Sequence, residues 1–146
     1  MKTTILLVSF FAFSLVASAQ KTPPAAVSKA FSQKFQKAEK VKWDMEEANE
    51  WEAEFMLSGK ETSASFDLAG KWLETETEIE KSALPADVKA ALDKQFAGAK
   101  MGEMSQLESP NFSGYEIALK MKGKKYEVQA TTDGKLTVKE EKKGKD

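Results

Sequence analysis

The sequence contains no cysteine and no histidine, and all 22 of its basic residues are lysines, so arginine is missing as well. Without cysteine the chain has no disulfide, no thiolate nucleophile and no zinc–thiolate site. Without histidine it lacks the commonest general base and the commonest metal ligand, and without arginine it lacks the bidentate partner of phosphate and carboxylate groups. These absences argue against an enzyme, and we predict no catalytic residues, no metal site and no cofactor.

A strong excess of positive charge is also missing, because the formal net charge is −1. Nucleic acids and anionic membrane surfaces usually select proteins with a strongly basic face. The sequence therefore predicts neither partner. The 146 residues, of which 41% are apolar and 31% charged, are typical of an ordinary globular protein with a hydrophobic core.

Residues 1–19 have the three parts of a secretory signal peptide. Lys2 supplies a positive charge, residues 5–16 are almost entirely apolar, and Ala17-Ser18-Ala19 matches an A-x-A cleavage site. The alternative is a membrane anchor, but the apolar run is too short to cross a bilayer comfortably. We therefore expect cleavage before Gln20, no membrane span in the mature chain, and a soluble protein in the periplasm or outside the cell.

The mature sequence repeats itself in two units of about sixty residues, a period typical of repeated supersecondary units. The matching segments are Pro24–Phe31 with Pro85–Leu92, Gly59-Lys60 with Gly123-Lys124, and Gly70-Lys71 with Gly134-Lys135. We predict a cleaved signal over 1–19, a first unit over 20–83, a second unit over 84–141, and a charged tail over 142–146.

Each unit begins with helical periodicity and continues with strand periodicity. Val27, Phe31 and Phe35 recur at the spacing of one helix face. From Trp51 to Phe55, apolar residues then alternate with glutamates, which predicts a strand with one buried and one wet face. First strands are predicted around 41–45 and 101–107. The pattern predicts an α+β fold made of a tandem repeat of two helix-plus-four-strand units, with helices on one face of an antiparallel sheet.

Several short motifs of the first unit carry a family resemblance. They are Pro24-x-x-Val27-x-x-Ala30-Phe31, Val41-x-Trp43, Trp51-Glu52-Ala53-x-Phe55 and Phe66-Asp67-x-x-Gly70-x-Trp72. With these motifs the mature chain resembles the beta-lactamase-inhibitor-like, PepSY-like family of exported bacterial proteins. The resemblance implies tandem helix-plus-four-strand units and a binding or inhibitory role outside the cytoplasm. It provides no catalytic residues.

Glu74, Glu76, Glu78 and Glu80 alternate along a predicted strand, which places four carboxylates on one face. They could bind a cation or a basic partner. The carboxylate oxygens of a flat strand, however, converge poorly on a calcium ion. An acidic strand face can also simply be solvated, and its charge then discourages aggregation. The solvated face is the interpretation that we favour, and Glu74, Glu76 and Glu78 remain candidates for partner binding.

Tryptophans and uneven charge are the other candidates for function. Trp43 and Trp72 lie near strand ends, where they could anchor a partner, although core packing is the commoner role. Residues 24–84 carry a net charge of −5 and residues 85–146 a net charge of +2. This asymmetry could orient a partner or a second copy of the chain, or it could have no role.

These observations predict an exported, non-enzymatic binding module that uses the open face of its sheet, with protein inhibition as one form of that binding. The partner would be an unidentified exported or envelope protein. The alternative is a periplasmic protein that binds a small ligand or a cation. Ser63 and Ser65 do not support catalysis, because no histidine is present to activate them.

Overall fold

The computed structural model describes residues 21–143, except the side chains at positions 47, 140, 142 and 143. The predicted signal peptide and the last three residues of the chain lie outside the described part. The elements, in chain order, are α1 (Ala25–Lys34), β1 (Glu39–Glu47), β2 (Glu50–Leu57), β3 (Lys60–Asp67), β4 (Trp72–Glu78), a short 3₁₀ turn (Lys81–Ala83), α2 (Ala86–Gln95), β5 (Lys100–Ser109), β6 (Phe112–Met121), β7 (Lys124–Ala130) and β8 (Leu136–Lys143).

The predicted α+β class is confirmed, since the described elements are two helices and an eight-stranded antiparallel sheet. The strands follow one another across the sheet in chain order. Two compact units divide the chain, one ending at Thr75 and the other beginning at Glu76. The repeat itself and the placement of both helices on one face stay predictions. Among the described residues, no helix is long and apolar enough to cross a membrane.

Both helices begin directly after a proline, and a phenylalanine follows the last residue of each. Pro24 and Pro85 take the N-cap positions, where a proline fits because the first helical turn has no partner for a backbone N–H. At the other end, the backbone N–H of Phe35 donates to the carbonyl oxygen of Phe31 over 2.8 Å. One side of each helix is buried, as the spacing predicted.

Tight turns join β2 to β3 and β6 to β7. Ser58 and Gly59 both have positive φ angles, 53° and 80°, and Lys122 and Gly123 repeat this with 50° and 73°. Two consecutive left-handed residues define the type I′ turn, whose twist matches that of antiparallel strands. In both hairpins the second turn residue is the glycine of a Gly-Lys pair that the sequence repeats.

The core of the first unit is mainly aromatic. Phe31 of α1 lies at the centre, with its ring 5.0 Å from that of Phe55 and 6.3 Å from that of Phe66, centre to centre. Aromatic rings at such edge-to-face distances add about 1 kcal/mol per pair to the burial of their surface. The buried members of this core are Val27, Phe31, Phe35, Trp51, Ala53, Phe55, Ala64 and Phe66.

The core of the second unit is mainly aliphatic. Val88 and Leu92 of α2 pack with residues of β6 and β7, and Leu84 closes the cluster from the segment before the helix. Phe96, at the end of α2, has its ring 5.6 Å from that of Tyr126. The buried members are Leu84, Val88, Leu92, Phe96, Ile117, Leu119, Val128 and Ala130.

Three sequence-based expectations differ from the structure. The first strands are longer than predicted, since β1 covers Glu39–Glu47 and β5 covers Lys100–Ser109. The strand β4 ends at Glu78, so Glu80 lies outside it. The glutamate side of β2 is not wet, because only 5% of Glu52 is exposed. Ser65 lies opposite Glu52 on the neighbouring strand. Because cross-strand neighbours lie about 5 Å apart, Ser65 helps to shield the Glu52 side chain from water.

Candidate functional site

The strands of the second unit place a set of polar side chains on the side opposite α2. Ile117, Leu119 and Val128 point into the core that α2 completes. Successive side chains of a strand alternate between faces, so their neighbours Glu116 and Gln129 point the other way. We call this side of β5, β6 and β7, together with Glu76 of β4, the α2-distal face. Its polar members are Glu76, Ser105, Glu116, Glu127 and Gln129.

Four of these side chains lie in a row across adjacent strands and form two hydrogen-bonded pairs. The hydroxyl of Ser105 donates to Oε2 of Glu76 over 3.1 Å. Ser105 is paired directly with Glu116 in the sheet, and Glu116 is paired in turn with Gln129. The side-chain amide of Gln129 donates to Oε2 of Glu116 over 3.2 Å. The row therefore runs from β4 through β5 and β6 to β7.

Little of this row is exposed to solvent. Glu116 is 4% exposed and Gln129 is 9% exposed, and the neighbouring Glu127 is 5% exposed. Removing a carboxylate from water is costly unless hydrogen bonds or opposite charges compensate for it. Two buried glutamates on one sheet surface are therefore unusual, and they mark the α2-distal face as a candidate site.

The buried environment changes the acidity of Glu76. Burial raises the pKa of Glu76 to about 7, and the negative charge of Glu116 acts in the same direction. The hydrogen bond from Ser105 opposes the rise, and the carboxylate of Glu103 adds to it. Glu76 is therefore partly protonated near neutral pH, unlike a glutamate on a solvated strand.

The first unit has a smaller polar set on the side of its strands opposite α1. Glu52 lies opposite Ser65 and Glu54 lies opposite Ser63. Burial raises the pKa of Glu54, and the positive charge of Lys42 opposes that rise. In both units, therefore, glutamate and serine side chains lie on the side of the strands that faces away from the helix.

The predicted tryptophan anchors both pack on the core of the first unit. Trp43 is half-buried, with its ring 5.1 Å from that of Phe31. Trp72 is also half-buried, and its indole N–H donates to Oγ1 of Thr75 over 2.9 Å. The ammonium group of Lys34 lies 3.9 Å from the centre of the Trp72 ring, so one face of that ring lies near the surface.

The predicted acidic candidates differ from one another in environment. Glu78 is exposed, whereas Glu74 and Glu76 are both half-buried, and Glu76 belongs to the row. The favoured interpretation of a solvated strand face is therefore wrong for Glu76. The reason is the hydrogen bond from Ser105, which holds the carboxylate of Glu76 against β5. Whether Glu74, Glu76 and Glu78 bind a partner stays a prediction.

Sequence reasoning did not find Ser105, Glu116, Glu127 and Gln129. Glu116 and Glu127 each alternate with apolar residues, which is also the pattern of an ordinary solvated strand face. Only the register between strands shows that Ser105, Glu116 and Gln129 lie in line. Within the described part of the chain, no group of three or more acidic side chains is arranged to hold a metal ion.

Comparison with solved structures identifies the fold. A BLIP-like protein from Bacteroides fragilis superposes with a TM-score of 0.74 at 24% identity, covering 86% of this chain and 91% of its own. A protein from Bacteroides eggerthii, described as periplasmic, superposes with a TM-score of 0.73 at 18% identity, covering 84% and 89%. At such identities the likeness shows the fold alone. None of the curated proteins compared with the chain matches it.

The family is shown by the sequence itself. The model of the beta-lactamase-inhibitor-like, PepSY-like family matches residues 49–144, which is more than half of the chain. The match begins just before β2 and includes every strand from β2 to β8. It also includes all five polar members of the α2-distal face. The chain belongs to the beta-lactamase-inhibitor-like, PepSY-like family.

Proposed function

We propose that the protein is an exported, non-enzymatic binding module that holds a protein partner on the α2-distal face of its second unit. The single observation that carries this proposal is the row formed by Glu76, Ser105, Glu116 and Gln129. Side chains that are already fixed by hydrogen bonds lose little conformational freedom when a partner binds. The row therefore favours recognition over a purely structural role.

The chemistry of the face indicates what kind of partner surface it fits. Glu76 is half-buried, so its carboxylate oxygens can accept hydrogen bonds from lysine, arginine or backbone N–H groups of a partner, whereas Glu116 and Glu127 are buried and contribute negative charge without reaching the surface. Electrostatic complementarity across an interface gives specificity and a fast encounter. The partner surface should therefore present basic side chains or N–H donors to the part of the face around Glu76.

The family and its relatives support a role outside the cytoplasm. The family description contains an inhibitor-like name, one similar structure is called BLIP-like, and another is described as periplasmic. The first 19 residues of this chain have the pattern of a secretory signal. A protein inhibitor is accordingly the form of binding module that we propose first.

Two further points concern catalysis and small ligands. The sequence contains no histidine and no cysteine, so the usual general base and thiolate nucleophile are missing. For cation binding, no metal-holding group of acidic side chains occurs among the described residues. Calcium titration by calorimetry of the chain from Gln20 to Asp146 tests the cation alternative, and we expect no heat of binding.

The proposal is tested with two variants that introduce the same side chain on different surfaces. Ala118→Arg adds an arginine to β6 on the α2-distal face, next to Glu116 in the alternation of that strand. Ala90→Arg adds one to the exposed side of α2. A partner is first captured by crosslinking from envelope extract and identified by mass spectrometry. It is then purified, and its affinity for the wild type and both variants is measured.

We expect the purified partner to bind the wild type and Ala90→Arg equally, and to bind Ala118→Arg at least tenfold more weakly. An arginine placed in the face both blocks close approach and opposes a basic partner surface. Equal binding of all three proteins would refute the proposed face. Circular dichroism of each variant establishes that the fold is retained before affinities are compared.

A further inference from the structure

We propose that exposed lysines at the β6–β7 turn end of the α2-distal face receive an acidic segment of the protein partner. They are Lys100 of β5, Lys120 of β6 and Lys125 of β7, and we call them the lysine row. The inference rests on the proposed function and makes it more specific, because it adds the charge of a second part of the partner surface. The partner would then be basic near Glu76 and acidic near the β6–β7 turn.

The register of three adjacent strands produces the lysine row. Lys100 is paired directly with Lys120, and Lys120 is paired directly with Lys125. Directly paired residues share one face of a sheet, and their Cβ atoms lie about 5 Å apart. The register continues to Lys142 of β8. Lysines therefore follow one another across four strands at close spacing.

The lysine row lies on the same side of the strands as Glu116. Leu119 and Met121 flank Lys120 on β6 and pack in the core that α2 completes, so Lys120 points away from that core. All members of the row are exposed. The distance from Glu116 to Lys120 along β6 is roughly 13 Å at the usual rise of a strand. One partner surface can span that distance and contact both parts of the face.

The first two lysines of the row have no neutralising neighbour in the described part of the chain. Like charges that lie directly opposite each other destabilise a sheet. Among residues 21–143, neither Lys100 nor Lys120 has an ion-pair partner, whereas the nearby Lys124 is paired with Glu141 of β8. Carboxylates brought by a partner would relieve the repulsion within the row.

The first unit shows that such hairpins do not need lysines at these positions. Met56 lies three residues before the glycine of the β2–β3 turn, as Lys120 lies three residues before that of the β6–β7 turn. Met56 is paired with Glu39 on one side and with Glu61 on the other. The row of the first unit thus contains two glutamates and a methionine. Strand pairing accepts either set, so pairing alone does not explain the positive charge of the lysine row.

An acidic protein segment fits the row better than a broad anionic surface does. The formal net charge of the chain is −1, and residues 24–84 carry −5, so a membrane or a nucleic acid would gain little from the molecule as a whole. In an extended segment, alternate side chains lie roughly 7 Å apart on one side, so several carboxylates can contact the row together. Each lysine ammonium group has three N–H donors for them.

The row is first tested without the partner, with octaglutamate as the probe and octaglutamine as its neutral control. ¹H–¹⁵N NMR spectra of the chain from Gln20 to Asp146 record which backbone amides respond. At low salt we expect octaglutamate to shift mainly the amides around Lys100, Lys120 and Lys125, and we expect high salt to abolish the shifts. Octaglutamine should cause none. No response to octaglutamate, or one spread evenly over all exposed lysines, would overturn the proposal.

Two rival occupants of the row give different results. Vesicles that contain anionic lipid should not sediment with the protein, and sedimentation velocity should give the same mass for the chain at low and high salt. The deciding variant carries both Lys100→Gln and Lys120→Gln. Vesicle binding or self-association that this variant abolishes would overturn the proposal in favour of a lipid surface or a second copy of the chain.

The consequence for the partner is measured by stopped-flow association with the purified partner. The control for the double variant carries Lys29→Gln and Lys94→Gln, which remove the same charge from exposed positions on the two helices. Exposed charges at the rim of an interface act mainly on the association rate. We expect the row variant to associate about fivefold more slowly than the wild type, with its dissociation rate nearly unchanged, and we expect the control to match the wild type.

Failure of the row and failure of the proposed function are distinguishable. Equal association rates for the row variant and its control would overturn the role of the row, even where Ala118→Arg weakens binding. Equal affinity of Ala118→Arg and the wild type would instead refute the proposed face, whatever octaglutamate does. Circular dichroism establishes first that both double variants retain the fold.

Discussion

Gly70 approaches the carbonyl oxygen of Ala26 so closely that a Cβ atom on this glycine would lie 2.6 Å from it. The same relationship occurs in the second unit, where a Cβ on Gly134 would lie 2.6 Å from the carbonyl oxygen of Asp87. Both glycines also have a φ of +83°. In each unit, a turn between the last two strands therefore lies directly against the first turn of the helix.

This contact leads to the first prediction. Gly70→Ala and Gly134→Ala should each lower the free energy of unfolding by about 3 kcal/mol, since they combine a left-handed strain of 1–2 kcal/mol with a backbone clash. Gly59→Ala is the matched control, because φ is +80° there but nothing lies within 4 Å of the added Cβ. It should cost about 1 kcal/mol. Urea unfolding measures all three, and equal losses would contradict the contact with the helix.

The second prediction concerns stability and pH. Because the pKa of Glu76 is raised in the folded state, the folded protein binds this proton more tightly than the unfolded chain does. Its contribution to stability is complete below the unfolded pKa of 4.5 and is lost as the pH rises towards about 7. Glu76→Gln should therefore equal the wild type at pH 4.5 and exceed it at pH 8 by on the order of 2 kcal/mol.

Unfolding in urea at a series of pH values gives this comparison directly. Glu108→Gln, an exposed position on β5, is the control and should follow the wild type throughout. If Glu76→Gln were the less stable protein at pH 8, the carboxylate would be stabilising the fold in its charged form. The buried row would then need a different explanation.

A third prediction tests the aromatic core of the first unit. The ring of Phe31 lies 5.3 Å from that of Phe35, 5.1 Å from that of Trp43 and 5.0 Å from that of Phe55, centre to centre. Phe31→Ala should lower the free energy of unfolding by about 3–5 kcal/mol, the usual cost of truncating a buried phenylalanine. Leu68→Ala should cost little, because 45% of Leu68 is exposed. Similar losses for both would refute the assignment of Phe31 to the centre of the core.

The fourth prediction concerns export. When the whole chain is produced in a bacterium, mass spectrometry of the periplasmic fraction should find a protein that begins at Gln20. Ala19→Leu should leave the precursor uncleaved, because signal cleavage requires a small residue at that position. A periplasmic protein that retains residues 1–19 would contradict the predicted signal peptide.

Much of the fold could be predicted from local patterns. The helix around Phe31 follows from apolar residues at helical spacing, and the hairpins at Gly59 and Gly123 follow from their turn glycines. These features depend only on residues that are close in the chain. The ends of the strands were predicted less accurately, since nothing in the residues around Val41 marks the start of β1 at Glu39.

The candidate site could be predicted only in part, because it depends on register. Glu76 was identified as a candidate, but its partner Ser105 is 29 residues away and becomes a neighbour only when β4 and β5 lie side by side. A shift of one residue would turn Ser105 to the other side of the sheet. Glu116 has the same sequence pattern as a solvated glutamate, so its burial could not be inferred from spacing.

The chain-order arrangement of the eight strands has a consequence for how the protein reaches its native state. The strand pairs β2–β3 and β6–β7 are joined by two-residue turns, so their first contacts require very short loops to close. Closure of short loops is fast, and proteins rich in such local contacts fold sooner than β-proteins with distant pairings. Each hairpin can therefore form as soon as its own residues emerge, before the rest of the polypeptide is available.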